Sequence, residues 1–190
     1  MRCIRTWALC ALLASAAAAQ AAVTFSDVAI GGSLSAGASF VTNATDIDFT
    51  LPNATVGDPV DPVRAGTITI TFIAEDPSGL DRDLLSILGG LSGSGIIFFN
   101  EVVEDLVNPG IIASTNVVAD ENGDLPVTET IFFSRTSTRV KVKKTVVLAA
   151  IDTDDFDLAS VSLIEQKLIP EPASIAMLLI GSVAAAFRRR

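Results

Sequence analysis

The middle of this chain is built from short runs of β-branched residues, each soon broken by turn-forming residues, and that pattern restricts what it can become. Thr67-Ile68-Thr69-Ile70-Thr71-Phe72 alternates strictly, which sets Ile68, Ile70 and Phe72 on one face of a half-buried strand. Val140-Lys141-Val142-Lys143 repeats the device with lysines outward, and Lys144 interrupts it, which reads as a bulge or a strand end. Residues 146–151 are continuously apolar, as in a central strand covered on both faces. Further strands are expected over residues 23–30, 38–41, 46–51, 95–100, 111–118, 127–134 and 158–165. Between them stand turn signals such as Pro52-Asn53, Asp58-Pro59, Asn108-Pro109-Gly110 and Glu121-Asn122-Gly123-Asp124.

One segment has the other period. Leu80, Leu84, Leu85 and Leu88 share a helical face, Asp81 and Asp83 suit the positive end of a helix dipole, and Gly89-Gly90 would stop the helix. The expectation is therefore all-β: a single antiparallel β-sandwich, jelly-roll-like, with one short helix over residues 80–88.

The two ends do not belong to that body. Arg2 and Arg5 precede an apolar stretch over residues 7–19, and Ala19-Gln20-Ala21 has the small-x-small form a signal peptidase accepts, with the cut before Ala22. At the other end Pro170-Glu171-Pro172 is followed by fifteen uncharged residues, 173–187, and then by Arg188, Arg189 and Arg190. As a helix the apolar stretch reaches ~22 Å against a hydrocarbon core of about 30 Å, a deficit that snorkelling arginines reduce. The arginines should stay cytoplasmic, leaving the body on the outer face of the inner membrane, as the N-terminal signal also requires. Residues 1–21 thus read as a signal peptide, 22–169 as one β domain, and 170–190 as a separate address.

This tail resembles the PEP-CTERM sorting signal, in which a Pro-Glu-Pro motif, a short apolar helix and a terminal basic cluster occur in that order. The resemblance covers residues 170–190. It implies that Pro170, Glu171 and Pro172 form a recognition element for an exosortase-type membrane processing enzyme. Residues 173–187 would be a transmembrane helix and Arg188, Arg189 and Arg190 a stop signal. It also implies an inner-membrane-anchored precursor that is later released or attached at the cell surface, often in bacteria that make exopolysaccharide. Residues 159–166 are similar to the final strand of such proteins. A GPI signal fits less well because it ends in an apolar tail. Leu125-Pro126-Val127-Thr128-Glu129 has Glu129 where a sortase motif needs Gly, and reads as a turn entering a strand.

Composition limits the chemistry of the body. Of 13 Lys+Arg, five lie in the end segments and eight in the body; of 22 Asp+Glu, only Glu171 lies in them, so the body carries 21 acids and a net charge of about −13. Such a surface repels phosphate backbones, so no nucleic acid is expected as a partner. Cys3 and Cys10 both precede Ala22, and the body contains no His, Cys, Tyr, Trp or Met. Triads and thiol nucleophiles are thereby removed, and no recognisable motif marks a carboxylate pair or a Ser–Lys dyad. The expectation is a non-enzymatic structural or adhesive surface protein with no cofactor. The alternative is a carbohydrate- or Ca²⁺-dependent binding module. For Ca²⁺ the candidates are the acids of residues 120–124 and 152–157, neither of which fits an EF-hand loop. For carbohydrate the usual Trp and Tyr platforms are missing, and the nine body phenylalanines are assigned to the core. Asn43-Ala44-Thr45 and Asn53-Ala54-Thr55 match the glycosylation sequon, a match that arises readily by chance.

Overall fold

The computed structural model describes residues 22–120, 123, 125–151 and 155–171, and Val23–Glu171 forms one compact unit. Among the described residues there are nine strands: β1 (Thr24–Gly31), β2 (Ser39–Thr42), β3 (Asp46–Thr50), β4 (Thr55–Gly57), β5 (Ala65–Ser92), β6 (Ile96–Asp105), β7 (Gly110–Ala119), β8 (Val127–Ala149) and β9 (Leu158–Pro170). A single 3₁₀ turn, Asp58–Val60, follows β4. All pairings are antiparallel and join the strands into one sheet ordered β2-β3-β9-β5-β8-β6-β7, with β1 on β5 and β4 on β9.

Of the two long strands, β5 serves three ladders and β8 two. The first part of β5, residues 65–75, pairs with β1 on one side and with residues 139–149 of β8 on the other. Its second part, residues 80–92, pairs with β9, and residues 82–87 also pair with 127–132 of β8. In a straight β5, Phe72 and Ile87 would lie roughly 50 Å apart. Ile87 pairs with Ile164 and Ile164 with Phe49, yet the rings of Phe49 and Phe72 are 5.8 Å apart. The sheet is therefore folded over on itself. One layer holds β1, the first part of β5, the second part of β8, β6 and β7; the facing layer holds the remainder of β5 and β8 with β9, β3, β4 and β2. The expected two-layer antiparallel architecture is present, built from one continuous sheet.

The folds in β5 and β8 fall where the residues favour them. In β5 the register breaks between Glu75 and Leu80, where Asp76 accepts hydrogen bonds from the amide and hydroxyl of Ser78. Gly79 adopts φ 90°, and a Cβ there would stand 2.4 Å from Thr136 Cγ2 on the facing corner. In β8 the bend is pinned by buried Asp105 at the end of β6. Its carboxylate accepts from the Ser137 hydroxyl at 2.6 Å, Arg135 Nε at 2.9 Å, and the amides of Val107 and Asn108 at 2.9 and 3.1 Å. Burial alone would raise the Asp105 pKa, but these donors outweigh it and hold the carboxyl well below the ordinary carboxylate range.

The core lies between the layers. Phe72 meets Phe49 from the facing layer and, 6.0 Å away, Phe25 of β1, amid Ile47, Ile68, Ile70, Leu85, Ile87, Val142, Leu148 and Ile164. Fully burying one such aliphatic or aromatic side chain contributes about 1.5–3 kcal/mol.

Three sequence expectations fail here, the first that residues 146–151 form a strand covered on both faces: β8 stops at Ala149, Ile151 is exposed and Val147 faces the open outer side. Residues 80–88 form no helix; they continue β5, with Asp83, Leu85 and Ile87 buried and Leu84, Ser86 and Leu88 outward. Strands wait on both sides of this segment, so its backbone groups find ladder partners alternately in β8 and β9 over residues 82–87, and the weak helical preference of four leucines is overridden. Gly89 is not a helix stop but part of an irregularity against β9, where a Cβ would fall 2.0 Å from the carbonyl oxygen of Ser160. Lys144 is neither bulge nor strand end. It pairs in unbroken register with Ile70 and Glu101, and its side chain turns inward.

Candidate functional site

Of the predicted signals, Ala19, Ala21, Pro172, the apolar segment 173–187 and Arg188, Arg189 and Arg190 lie outside the described residues. Among the described residues no helix is long and apolar enough to cross a membrane. Pro170 is the last residue of β9, opposite Leu80. The amide of Glu171 donates to the carbonyl of Gly79 at 2.8 Å, and its carboxylate accepts from the Thr136 hydroxyl. The first two residues of the motif are thus tied to the folded corners of β5 and β8.

Of the two acidic stretches, residues 121, 122, 124 and 152–154 lie outside the described residues. Among the described residues no group of three or more ligating side chains is placed to hold an ion. Buried Asp157, from the second stretch, instead accepts from Arg64 at 2.9 Å and from the Ser94 hydroxyl at 2.9 Å, and its amide donates to Asp58 at 2.9 Å. Arg64 also bonds Asp58 at 2.8 Å. The backbone hydrogen bond from Asp157, then the bond from Arg64, lower the pKa of Asp58. This network closes the end of the domain where β4, β5 and β9 begin or finish.

A second polar cluster is sealed between the layers. Lys144 of β8 bonds Glu101 of β6, and Gln166 of β9 donates to Glu101 at 3.1 Å and to Asp83 of β5 at 2.8 Å. The Lys144 ammonium also lies 5.4 Å from the centre of the Phe99 ring. All four polar side chains are fully buried. Burial, then the negative charge of Glu101 and a hydrogen bond with it, push the Asp83 carboxyl up to about 9. At neutral pH Asp83 is therefore protonated, and the cluster holds one cation against one anion. With no solvent access it joins the two layers and meets no substrate. Alternation along Asp83, Leu85 and Ile87 would have placed Asp83 inward, had the segment been read as a strand.

The outer faces are where a ligand has access. On the layer carrying β9, Asp46, Asp48, Leu84, Ser86, Thr128, Glu165 and Lys167 line an open trough of about 300 Å³. Asp48 lies opposite Glu165, and Asp46 lies opposite Lys167, whose ammonium is 3.9 Å away. Partial burial, then the charge of Asp46, raise the Asp48 pKa.

The opposite outer face is uncharged at its centre. Val118, Phe98, Val147 and Thr67 form one row across β7, β6, β8 and β5; Asn116, Asn100, Thr145 and Thr69 form the next. Asn100 Nδ2 donates to Asn116 Oδ1 at 2.9 Å and to the Thr115 carbonyl at 3.3 Å. Phe98 is 45% exposed and Val118 59%, over a hollow of about 130 Å³.

The assignment of the phenylalanines to the core needs correction here. Phe49, Phe72 and Phe99 are buried and Phe25 and Phe133 half-buried, but Phe40, Phe98, Phe132 and Phe156 are exposed. Phe98-Phe99 and Phe132-Phe133 are adjacent pairs within strands, so one member of each must face outward, a signal present in the sequence.

No family model matches the chain, and no curated protein matches it. Among solved structures it is similar to TmCBM61 in complex with β-1,4-galactotriose, at 15% identity over 77% of this chain and 90% of that one, with a TM-score of 0.43. It is also similar to the enzymatically active domain of bacteriophage CBA120 tailspike protein 4 (14% identity, 78% of this chain and 19% of that one, TM-score 0.33). Arabinose-bound MgGH51 α-L-arabinofuranosidase is a third (13% identity, 78% and 24%, TM-score 0.30). The chain spans about a fifth to a quarter of these last two. With every TM-score below 0.5, these are partial backbone likenesses and bear on neither ligand nor activity here.

Proposed function

We propose that this chain is an exported, non-enzymatic cell-surface or extracellular-matrix protein. In this reading signal peptidase cuts behind Ala21, and an exosortase-type membrane enzyme sorts the anchored precursor through Pro170, Glu171 and Pro172. The folded body then acts as a structural or adhesive element. The observation that carries the reading is the place of the motif in the fold. β9 is an interior strand, bonded to β3 and β4 on one side and to β5 on the other, and its ladder ends at Pro170. A cut beyond Glu171 would therefore leave every described strand pairing intact. The net charge of about −13 suits a body that remains soluble after release.

Intact mass and cell fractionation in the native host test the reading, comparing wild type with Pro172→Ala and with the Pro170→Ala/Glu171→Ala/Pro172→Ala triple variant. Wild type should lose both ends and leave the inner membrane, while the variants keep their tails and stay. A wild-type protein that retains Arg190 in the inner membrane would refute it.

A second reading, a carbohydrate-binding module of the cell surface or exopolysaccharide matrix, is favoured by one observation: the uncharged face around Phe98, Asn100 and Asn116.

A further inference from the structure

We infer that the outer face of β5, β6, β7 and β8, centred on Phe98, Asn100 and Asn116, is a binding site for uncharged polysaccharide. The inference deepens the second reading above and does not depend on the sorting signal.

The residues at this place are poor choices for strand stability. Asparagine is depleted in strands, yet Asn100 and Asn116 stand directly opposite each other on neighbouring strands. Beside them Phe98 and Val118, also a cross-strand pair, leave about half of their surface in water and contribute correspondingly little to the core. Local choices that oppose the fold at adjacent positions mark functional surfaces.

Their arrangement has a definite chemistry. The bond from Asn100 Nδ2 to Asn116 Oδ1 orients both amides, which leaves Asn100 Oδ1 as an acceptor and Asn116 Nδ2 as a donor. Neighbouring hydroxyls of a sugar ring present the matching donor and acceptor. The exposed face of Phe98 in the adjoining row, flanked by Val118 and Val147, suits the C–H face of the same ring. Four strands at about 4.8 Å spacing and two rows about 7 Å apart give a platform roughly 14 Å by 7 Å, elongated across the strands. That shape suits a run of linked sugars.

Charge selects among ligands. The two rows themselves hold no charged residue; the nearest cations on this face, Lys143 and Lys141, stand in the rows beyond Thr145, opposite Val102 and Glu104. The body's net charge of about −13 repels anionic polymers, and it repels a second copy of the chain equally. The trough on the opposite layer carries three carboxylates, Asp46, Asp48 and Glu165, against one lysine and lacks an aromatic among its lining residues.

Affinity electrophoresis of the protein as its host processes it, purified from the native host with mild detergent present, tests the site. The gels contain soluble neutral β-glucan, galactan, mannan or xylan, with alginate as the anionic counterpart. At least one neutral polymer should retard the wild type, and alginate should not. Phe98→Ala and Asn100→Ala should each raise the dissociation constant tenfold or more with unchanged melting temperature. Phe132→Ala, an exposed aromatic on the other layer, should bind as wild type. Absence of retardation by all four neutral polymers, retardation that Phe98→Ala leaves unchanged, or equal retardation by alginate would each overturn the inference. Fractionation reports on sorting alone, so failure of one reading leaves the other separately decided.

Discussion

Replacing Asp83 by asparagine probes the buried cluster, because the amide keeps the shape and both hydrogen bonds of a protonated carboxyl but cannot ionise. It accepts from Gln166 and donates to Glu101 as the neutral acid does. The wild-type group titrates near its ordinary 3.8 when unfolded and at about 9 when folded. Below pH 3.8 both states hold the proton and the group has no effect on stability. Above it the unfolded chain releases the proton while the folded chain keeps it, so wild-type stability falls with rising pH until the folded carboxyl itself ionises near 9. At about 1.36 kcal/mol per pH unit, the disadvantage at pH 7 is on the order of 4 kcal/mol. Asp83→Asn should therefore match wild type near pH 4 and exceed it progressively toward pH 7. The assay is urea unfolding at half-unit pH steps. It must be followed by far-ultraviolet circular dichroism, since the body has no Trp or Tyr to report by fluorescence. The quantity compared is the difference between the two proteins, in which the other carboxylates cancel. Parallel stability curves from pH 4 to 7 would refute a protonated Asp83.

Lys144→Met leaves Glu101 buried without its cation and should destabilise the fold by about 3–5 kcal/mol. Adding Glu101→Gln should restore most of that loss, a coupling that a double-mutant cycle in urea measures directly. Gly95→Ala places a Cβ 1.8 Å from the backbone oxygen of Leu158, which cannot yield as a flexible side chain would. It should cost about 1–3 kcal/mol and lower the melting temperature in a calorimetric scan.

The buried cluster and the sheet corners together account for why one continuous sheet closes as it does. Apolar packing between the layers is non-directional, so many relative positions would bury similar area. Glu101 and Lys144 come from one layer, Asp83 and Gln166 from the other, and the bond from Gln166 to Glu101 spans the two, so it forms only when the layers are aligned. Asp105 does the same at the bend of β8, where its four donors come from the turn after β6 and from β8 itself. A Pro or bulky residue at Gly79 would meet Thr136 across the paired corners. Polar groups here select the arrangement that the apolar core stabilises.

Much of the strand content was legible in the sequence because period-two alternation is local. Thr67 to Phe72 and Val140 to Lys143 showed their buried faces directly, and turn residues bounded β1, β2, β3 and β7 within a residue or so. The low catalytic repertoire and the acidic balance were equally plain from residue types alone. What the tertiary structure decided was everything that depends on a distant partner. Leu80, Leu84, Leu85 and Leu88 satisfy a helix and a strand alike, and only the presence of β8 and β9 on either side made the segment a strand. Lys144 looked like an interruption because a lysine inside a core is costly. It becomes tolerable through Glu101, 43 residues away in the chain. The joining of 127–134, 140–143 and 146–149 into one strand, and of 67–72 and 80–88 into another, rests on corners whose pinning groups are far apart in sequence. The Phe98 face had the same cause. Alternation says that one of Phe98 and Phe99 faces outward, but only strand order brings Asn116 and Val118 beside it, because ladder partners are chosen by the whole sheet.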